Sequence, residues 1–125
     1  MNRLEITTDS GDSWVRPGDT LSGTARWELD EPPEAIEVRL FWYTTGKGTR
    51  DVGLVDQRRV EQPERFGSTA FTFRIPEGPL SFTGSLITLA WAVEAVALPS
   101  EESGRLDLLV GPTPVEIDLR TTLER

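Results

Sequence analysis

A chain of 125 residues with 21 acidic and 13 basic side chains, net charge −8, and neither cysteine nor histidine is narrowed before any pattern is read. Its length suits one domain, long enough to bury roughly two-thirds of its unfolded surface without disulfides or metal, and 37 % apolar with 27 % charged residues is a globular composition. Disulfides, thiolate catalysis and thiolate metal ligation are excluded, the usual neutral-pH base is missing, and the diffuse negative field repels nucleic acid and anionic lipid.

The first residues, Met1-Asn-Arg-Leu-Glu-Ile6, carry no apolar signal region, and the apolar run 86–98 is short and contains Glu94. A cytoplasmic protein without membrane insertion is the expectation. Leu4 and Ile6 share one face of a short strand over 2–8, ended by the turn cluster Asp9-Ser-Gly-Asp-Ser13. Trp14 and Val15 lead into Arg16-Pro-Gly-Asp19, a turn with proline at its second position. From Leu21 the alternation is strict. Leu21, Gly23, Ala25, Trp27 and Leu29 fall on one face and Ser22, Thr24, Arg26 and Glu28 on the other, a period of two that would scatter around a helix.

Asp30-Glu-Pro-Pro-Glu34 breaks that strand, and Ile36, Val38, Leu40 and Trp42 then oppose Glu37, Arg39, Phe41 and Tyr43. Two glycines in Thr45-Gly-Lys-Gly-Thr49 suit a hairpin. The returning strand, 51–61, mixes Val52, Leu54, Val55 and Val60 with many charges and reads as an exposed edge. Over 68–75, Phe71, Phe73 and Ile75 point inward. After the loop Glu77–Gly84, the run 86–97 is apolar on both faces, which places it centrally with its back covered. Glu101-Glu-Ser-Gly104 makes the next turn, Leu106, Leu108 and Val110 alternate, and Val115, Ile117 and Leu119 form a last short strand. About eight strands, turn signals at regular spacing and no helix predict an all-β, antiparallel β-sandwich occupying 1–125 as one domain.

Several of these pieces carry a family likeness. Arg16-Pro-Gly-Asp-Thr-Leu-Ser-Gly-Thr-Ala-Arg-Trp27 resembles the proline–glycine strand entry of arrestin-like domains, and Ile36-x-Val-x-Leu-x-Trp42 the strand that follows. Phe71-x-Phe-x-Ile-Pro76, then Pro79-x-Ser-Phe-x-Gly84, then Ile87-x-Leu-x-Trp-x-Val-x-Ala95 is similar to that family's most recognisable segment. The resemblance spans about residues 16–97. It implies an immunoglobulin-like sandwich of the E-set kind, with 21–29 and 68–75 in one sheet and 36–43 and 86–97 in the other. It also implies protein–protein scaffolding. Arrestins have two such domains and a regulatory tail, whereas this chain has room for one. Residues 2–8 offer only Arg3, so phosphate sensing by lysines of the first strand is not implied.

Few constellations carry chemistry. Asp9 and Asp12 supply too few oxygens for calcium and suit a turn. Arg58 and Arg59, with Arg50 and Arg65, make a basic region on the 51–61 edge, answered by Asp51, Asp56, Glu61 and Glu64. Phe41 and Tyr43 share a face opposite Trp42 and form either a contact surface or a sugar-stacking platform. Trp14, Leu80 and Phe82 are lids on the core or anchors for a partner. Trp27, Trp42 and Trp91 are assigned to the core. No carboxylate pair is singled out, no glycine-rich loop precedes a helix, and Lys47 sits in a hairpin turn. The expectation is a non-catalytic interaction or scaffold module without cofactor, metal or small-molecule ligand. It would meet a protein partner or a second copy of itself through Phe41, Tyr43, Arg50, Arg58, Arg59 and Phe82. Main-chain pairing at 51–61 is the favoured contact, and carbohydrate binding by Phe41 and Tyr43 is the competing one.

Overall fold

The computed structural model describes residues 2–46 and 50–118. Ten strands follow in order: β1 (Arg3–Thr8), β2 (Trp14–Val15), β3 (Thr20–Glu28), β4 (Ala35–Gly46), β5 (Val52–Glu61), β6 (Phe66–Arg74), β7 (Phe82–Thr83), β8 (Ile87–Leu98), β9 (Ser103–Val110) and β10 (Ile117–Asp118). The described residues contain no helix, and so none long and apolar enough to cross a membrane. The fold is an all-β sandwich, as the alternation predicts. The two-residue strands β2 and β7 are too short for any period to reveal. Lys47, Gly48 and Thr49 of the predicted hairpin turn, and Leu119 of the predicted last strand, lie outside the described residues.

One sheet has the order β1-β3-β6 and the other β10-β7-β8-β4-β5. Strand β9 lies on the same edge of β8 as β7, one after the other along it, and β2 runs parallel to β9. The strands over 21–29 and 68–75 therefore share one sheet, and those over 36–43 and 86–97 share the other.

Period-two alternation builds the core between the sheets. Leu21, Ala25, Phe71, Phe73 and Ile75 of the smaller sheet face Val38, Leu40, Leu89, Trp91, Val93 and Leu108 of the larger one. Trp27, Leu29, Ile36 and Ala97 form a second cluster. Each such large side chain contributes about 1.5–3 kcal/mol on burial. Three indoles also fasten loops: Trp14 Nε1 donates to the Gly111 carbonyl at 3.0 Å, Trp27 Nε1 to Glu64 at 3.0 Å and Trp91 Nε1 to Pro79 at 2.9 Å. Ser81 stitches the loop before β7 to the end of β9. Its Oγ accepts the Val110 N–H at 2.9 Å and its own N–H donates to the Val110 carbonyl at 2.9 Å.

Three expectations need correction. Trp42 is half-buried at the core margin, stacked over Gly53, whose added Cβ would lie 2.2 Å from the indole. Leu86 precedes β8 and is 66 % exposed. Among the described residues the back of β8 carries no second layer. Ala92 is buried there between the longer Phe41 and Asp107 of the flanking strands, and Val96 lies beside Glu37 of the ion network.

The sandwich is closed along one side only. There β1 approaches β9 so tightly that a Cβ on Gly104 would lie 1.9 Å from the Leu4 carbonyl oxygen. On the other side β5 and β6 end their sheets, bridged by Arg58 Nε donating to Thr69 Oγ1 at 2.9 Å. Gly104→Ala is expected to lower stability by about 1–3 kcal/mol in urea unfolding, since two backbones must separate to admit the methyl. An unchanged midpoint would refute this close approach.

Candidate functional site

The outer face of the larger sheet is the candidate site, and β4 sets it out. Phe41 lies opposite Leu54 on β5 and Ala92 on β8, and Tyr43 opposite Val52 and Ala90. Directly paired residues point to the same face. Alanine, aromatic and aliphatic side chains thus lie side by side across β8, β4 and β5 at one end of the sheet. Val52 and Leu54 are 69 % and 56 % exposed, and with Phe41, Arg39, Gln57 and Glu94 they line a shallow groove of about 310 Å³.

A β-bulge puts Val52 and Leu54 there. The register shifts between Leu40 and Phe41, whose partners are Asp56 and Leu54, so Val55 is the extra residue and packs against the core. On one side of the bulge Gly53 and Val55 turn inward and Leu54 outward. On the other, Asp56, Arg58 and Val60 take the inward positions, and Gln57, Arg59 and Glu61 the outward ones. The adjacent apolar pair Leu54-Val55 is the sequence signal of this break, and a strict period-two reading of 51–61 passes over it.

The predicted site residues separate. Phe41 and Tyr43 do share the face, their ring centroids 5.9 Å apart and tilted by 37°. The Arg105 guanidinium lies 5.2 Å from the Tyr43 ring centroid, so the two rings do not form a flat, open stacking platform. Arg50 is exposed beside the undescribed residues 47–49. Arg58 and Arg59 point to opposite sides of β5, Arg58 into the gap toward β6 and Arg59 onto the outer face. The expected cluster of arginines therefore does not form, and Arg65 lies instead over Phe66. Phe82, on β7, is half-buried against the core and separated from β5 by β8 and β4. Leu80 also packs on the core, and Trp14 lies half-buried on β2. Asp9 and Asp12 occupy an exposed turn closed by the Gly11 N–H to the Thr8 carbonyl and the Asp12 N–H to Ser10 Oγ.

Beyond the groove the face becomes ionic. Glu37 is 7 % exposed, and its Oε1 accepts from Arg39 Nη2 at 2.5 Å and Nε at 3.0 Å. Its Oε2 accepts from Arg59 Nη1, and Arg59 Nε reaches Glu61 at 2.5 Å. The hydrogen bond from Arg39 holds the Glu37 carboxyl below the usual carboxylate range. Burial opposes that shift and Arg59 reinforces it. With the folded value depressed, the stabilisation is complete above the unfolded pKa and is lost as pH falls through the folded one. Glu37→Gln should cost about 1–3 kcal/mol near pH 7. In urea titrations the wild-type and variant stabilities should converge as the medium is acidified below about pH 4. A gap independent of pH would show that the ion network does not hold Glu37 ionised.

No family model matches the sequence, and no curated protein matches it. Its structure is similar to that of Spo0M, a sporulation control protein from Bacillus subtilis, with a TM-score of 0.62 and 17 % identity, covering 90 % of this chain and 50 % of that one. A β-glucosidase from Listeria innocua overlaps at a TM-score of 0.47 and 14 % identity, covering 93 % of this chain and 17 % of that one, and that likeness carries no argument. The chain spans half the length of Spo0M, and the resemblance is one of fold: a β-sandwich, consistent with the arrestin-like arrangement.

Proposed function

We propose that this chain is a non-catalytic, arrestin-like interaction module that binds a protein partner on the outer face of its larger sheet. The observation that supports this is the exposure of Val52 and Leu54 beside Phe41, with Ala90 and Ala92 continuing the apolar surface on the far side of β4. Apolar side chains grouped in this way on a solvent face mark a contact surface. The ionic half of the face, with Glu37, Arg39, Glu94, Arg59 and Arg105, supplies a polar rim along one border. A partner that fits offers one or two aliphatic or aromatic anchors for the groove, with charged groups to one side.

This moves the contact from where the sequence places it. Main-chain pairing at 51–61 meets a strand interrupted by a bulge and studded with Asp56, Arg58, Arg59 and Glu61, all devices that discourage strand addition. The groove is met through side chains instead, those of Phe41, Val52 and Leu54, and needs no main-chain pairing. The test is affinity capture from the native cell, comparing the wild type with a Val52→Lys, Leu54→Asp double variant. The altered side chains are exposed, so the unfolding midpoint should hold while the affinity of any captured partner falls at least tenfold, about 1.4 kcal/mol. Partners retained equally by both proteins would overturn this reading.

A further inference from the structure

Strand β6 is the outer strand of the smaller sheet. It pairs with β3 from Thr20↔Arg74 to Glu28↔Phe66 without a register shift. Bonds just beyond each end set the phase of the ladder: the Leu29 N–H donates to the Arg65 carbonyl at 2.7 Å and the Ile75 N–H to the Asp19 carbonyl at 2.8 Å. Odd-numbered residues of this strand therefore turn their main chain toward β3. By antiparallel alternation, Phe66, Ser68, Ala70, Thr72 and Arg74 turn theirs toward the open edge. From 66 to 73 that edge has no charge, proline or bulge. Among the described residues its outward main chain takes a long bond, from Thr69 Oγ1 to the Ala70 carbonyl at 3.3 Å. A regular, uncharged edge is a template for another strand.

We propose that a second copy of this chain fills it, β6 pairing antiparallel with β6 about a two-fold axis at Ala70. A two-fold contact must be complementary to itself, and this register is. Ala70 meets Ala70 of the second copy, Ser68 meets Thr72, and Phe66 meets Arg74, each pair sharing both face and hydrogen-bonding phase. Arg74 of each copy comes alongside Phe66 of the other, whose ring its own Arg65 overlies, and next to Glu28, the partner of Phe66 on β3. The larger sheets are complementary at the same level. Arg58 is tied to Thr69 near the axis, and Asp56 lies two residues before it on the same side of β5. The two-fold brings Asp56 of each copy toward Arg58 of the other, so each open gap is capped by opposite charges. The outward side chains at the centre of the strand are neutral, which limits repulsion between two chains of net charge −8.

Ala70 is exposed and meets itself across the axis, so charge there tests both the edge and the register. Sedimentation equilibrium of the full chain should show a dimer at concentrations on the order of 100 μM. Ala70→Lys and Ala70→Glu should each weaken dimerisation at least tenfold while keeping the wild-type circular dichroism spectrum, and an equimolar mixture of the two should recover a dimer. A monomeric wild type, a dimer that persists in both variants, or a mixture that stays monomeric would each overturn the proposal. The Val52→Lys, Leu54→Asp variant should dimerise as the wild type does, which separates this edge from the face proposed above.

Discussion

The ladder between β4 and β8, two strands of 12 residues each, is the constraint on which the rest of this molecule depends. Its inner positions supply Val38, Leu40, Trp91, Val93 and Ala95 to the core. Among the described residues its outer positions have no second layer to meet, so what stands there decides what this face shows to solvent. The sheet on the other side has three strands, too few to cover a larger sheet that extends beyond the ladder on both sides. That mismatch in width leaves one flank of the sandwich open, and the open flank brings the ends of both sheets within reach of one arginine.

The outer face divides into two chemistries along β4. Toward Tyr43 it is apolar and bordered by the alanines of β8, and toward Glu37 it is a chain of ion pairs. Glu37 owes its ionised state to geometry, because an acid this buried would resist charging without a guanidinium on each oxygen. In return the carboxylate fixes the directions of Arg39 and Arg59, keeping two long cations flat along the sheet. Arg105 lies over Tyr43 in the same manner.

Much of the fold is written in alternation. Leu21 through Leu29 and Phe71 through Ile75 name their inward faces without ambiguity, because one register alone buries the large residues. The resemblance adds the pairing of those strands, which alternation alone does not contain. The site is less legible for physical reasons. Period-two reading fails at Leu54-Val55 because a bulge changes which side each later residue faces, whereas Arg58 and Arg59 look like one cluster only because they are adjacent in sequence, and strand alternation sends them to two sides. Ala90 and Ala92 read as ordinary small residues until Phe41 and Tyr43 are seen opposite them. The vulnerability of β6 is invisible until the sheet order shows that no strand of the described residues lies beyond it.

The bulge at Val55 has a wider meaning. A regular strand binds all its residues to one phase, so an alteration of length anywhere along it inverts the exposure of everything downstream. The extra residue acts as a phase changer. The half of β5 next to the hairpin and the half next to Glu61 keep separate accounts of inside and outside. Apolar surface can therefore be gained, lost or reshaped at Val52 and Leu54 while the ionic anchorage of Glu37, Arg59 and Glu61 stays in place. One strand behaves as two independently variable modules, one open to change and one conserving the sheet.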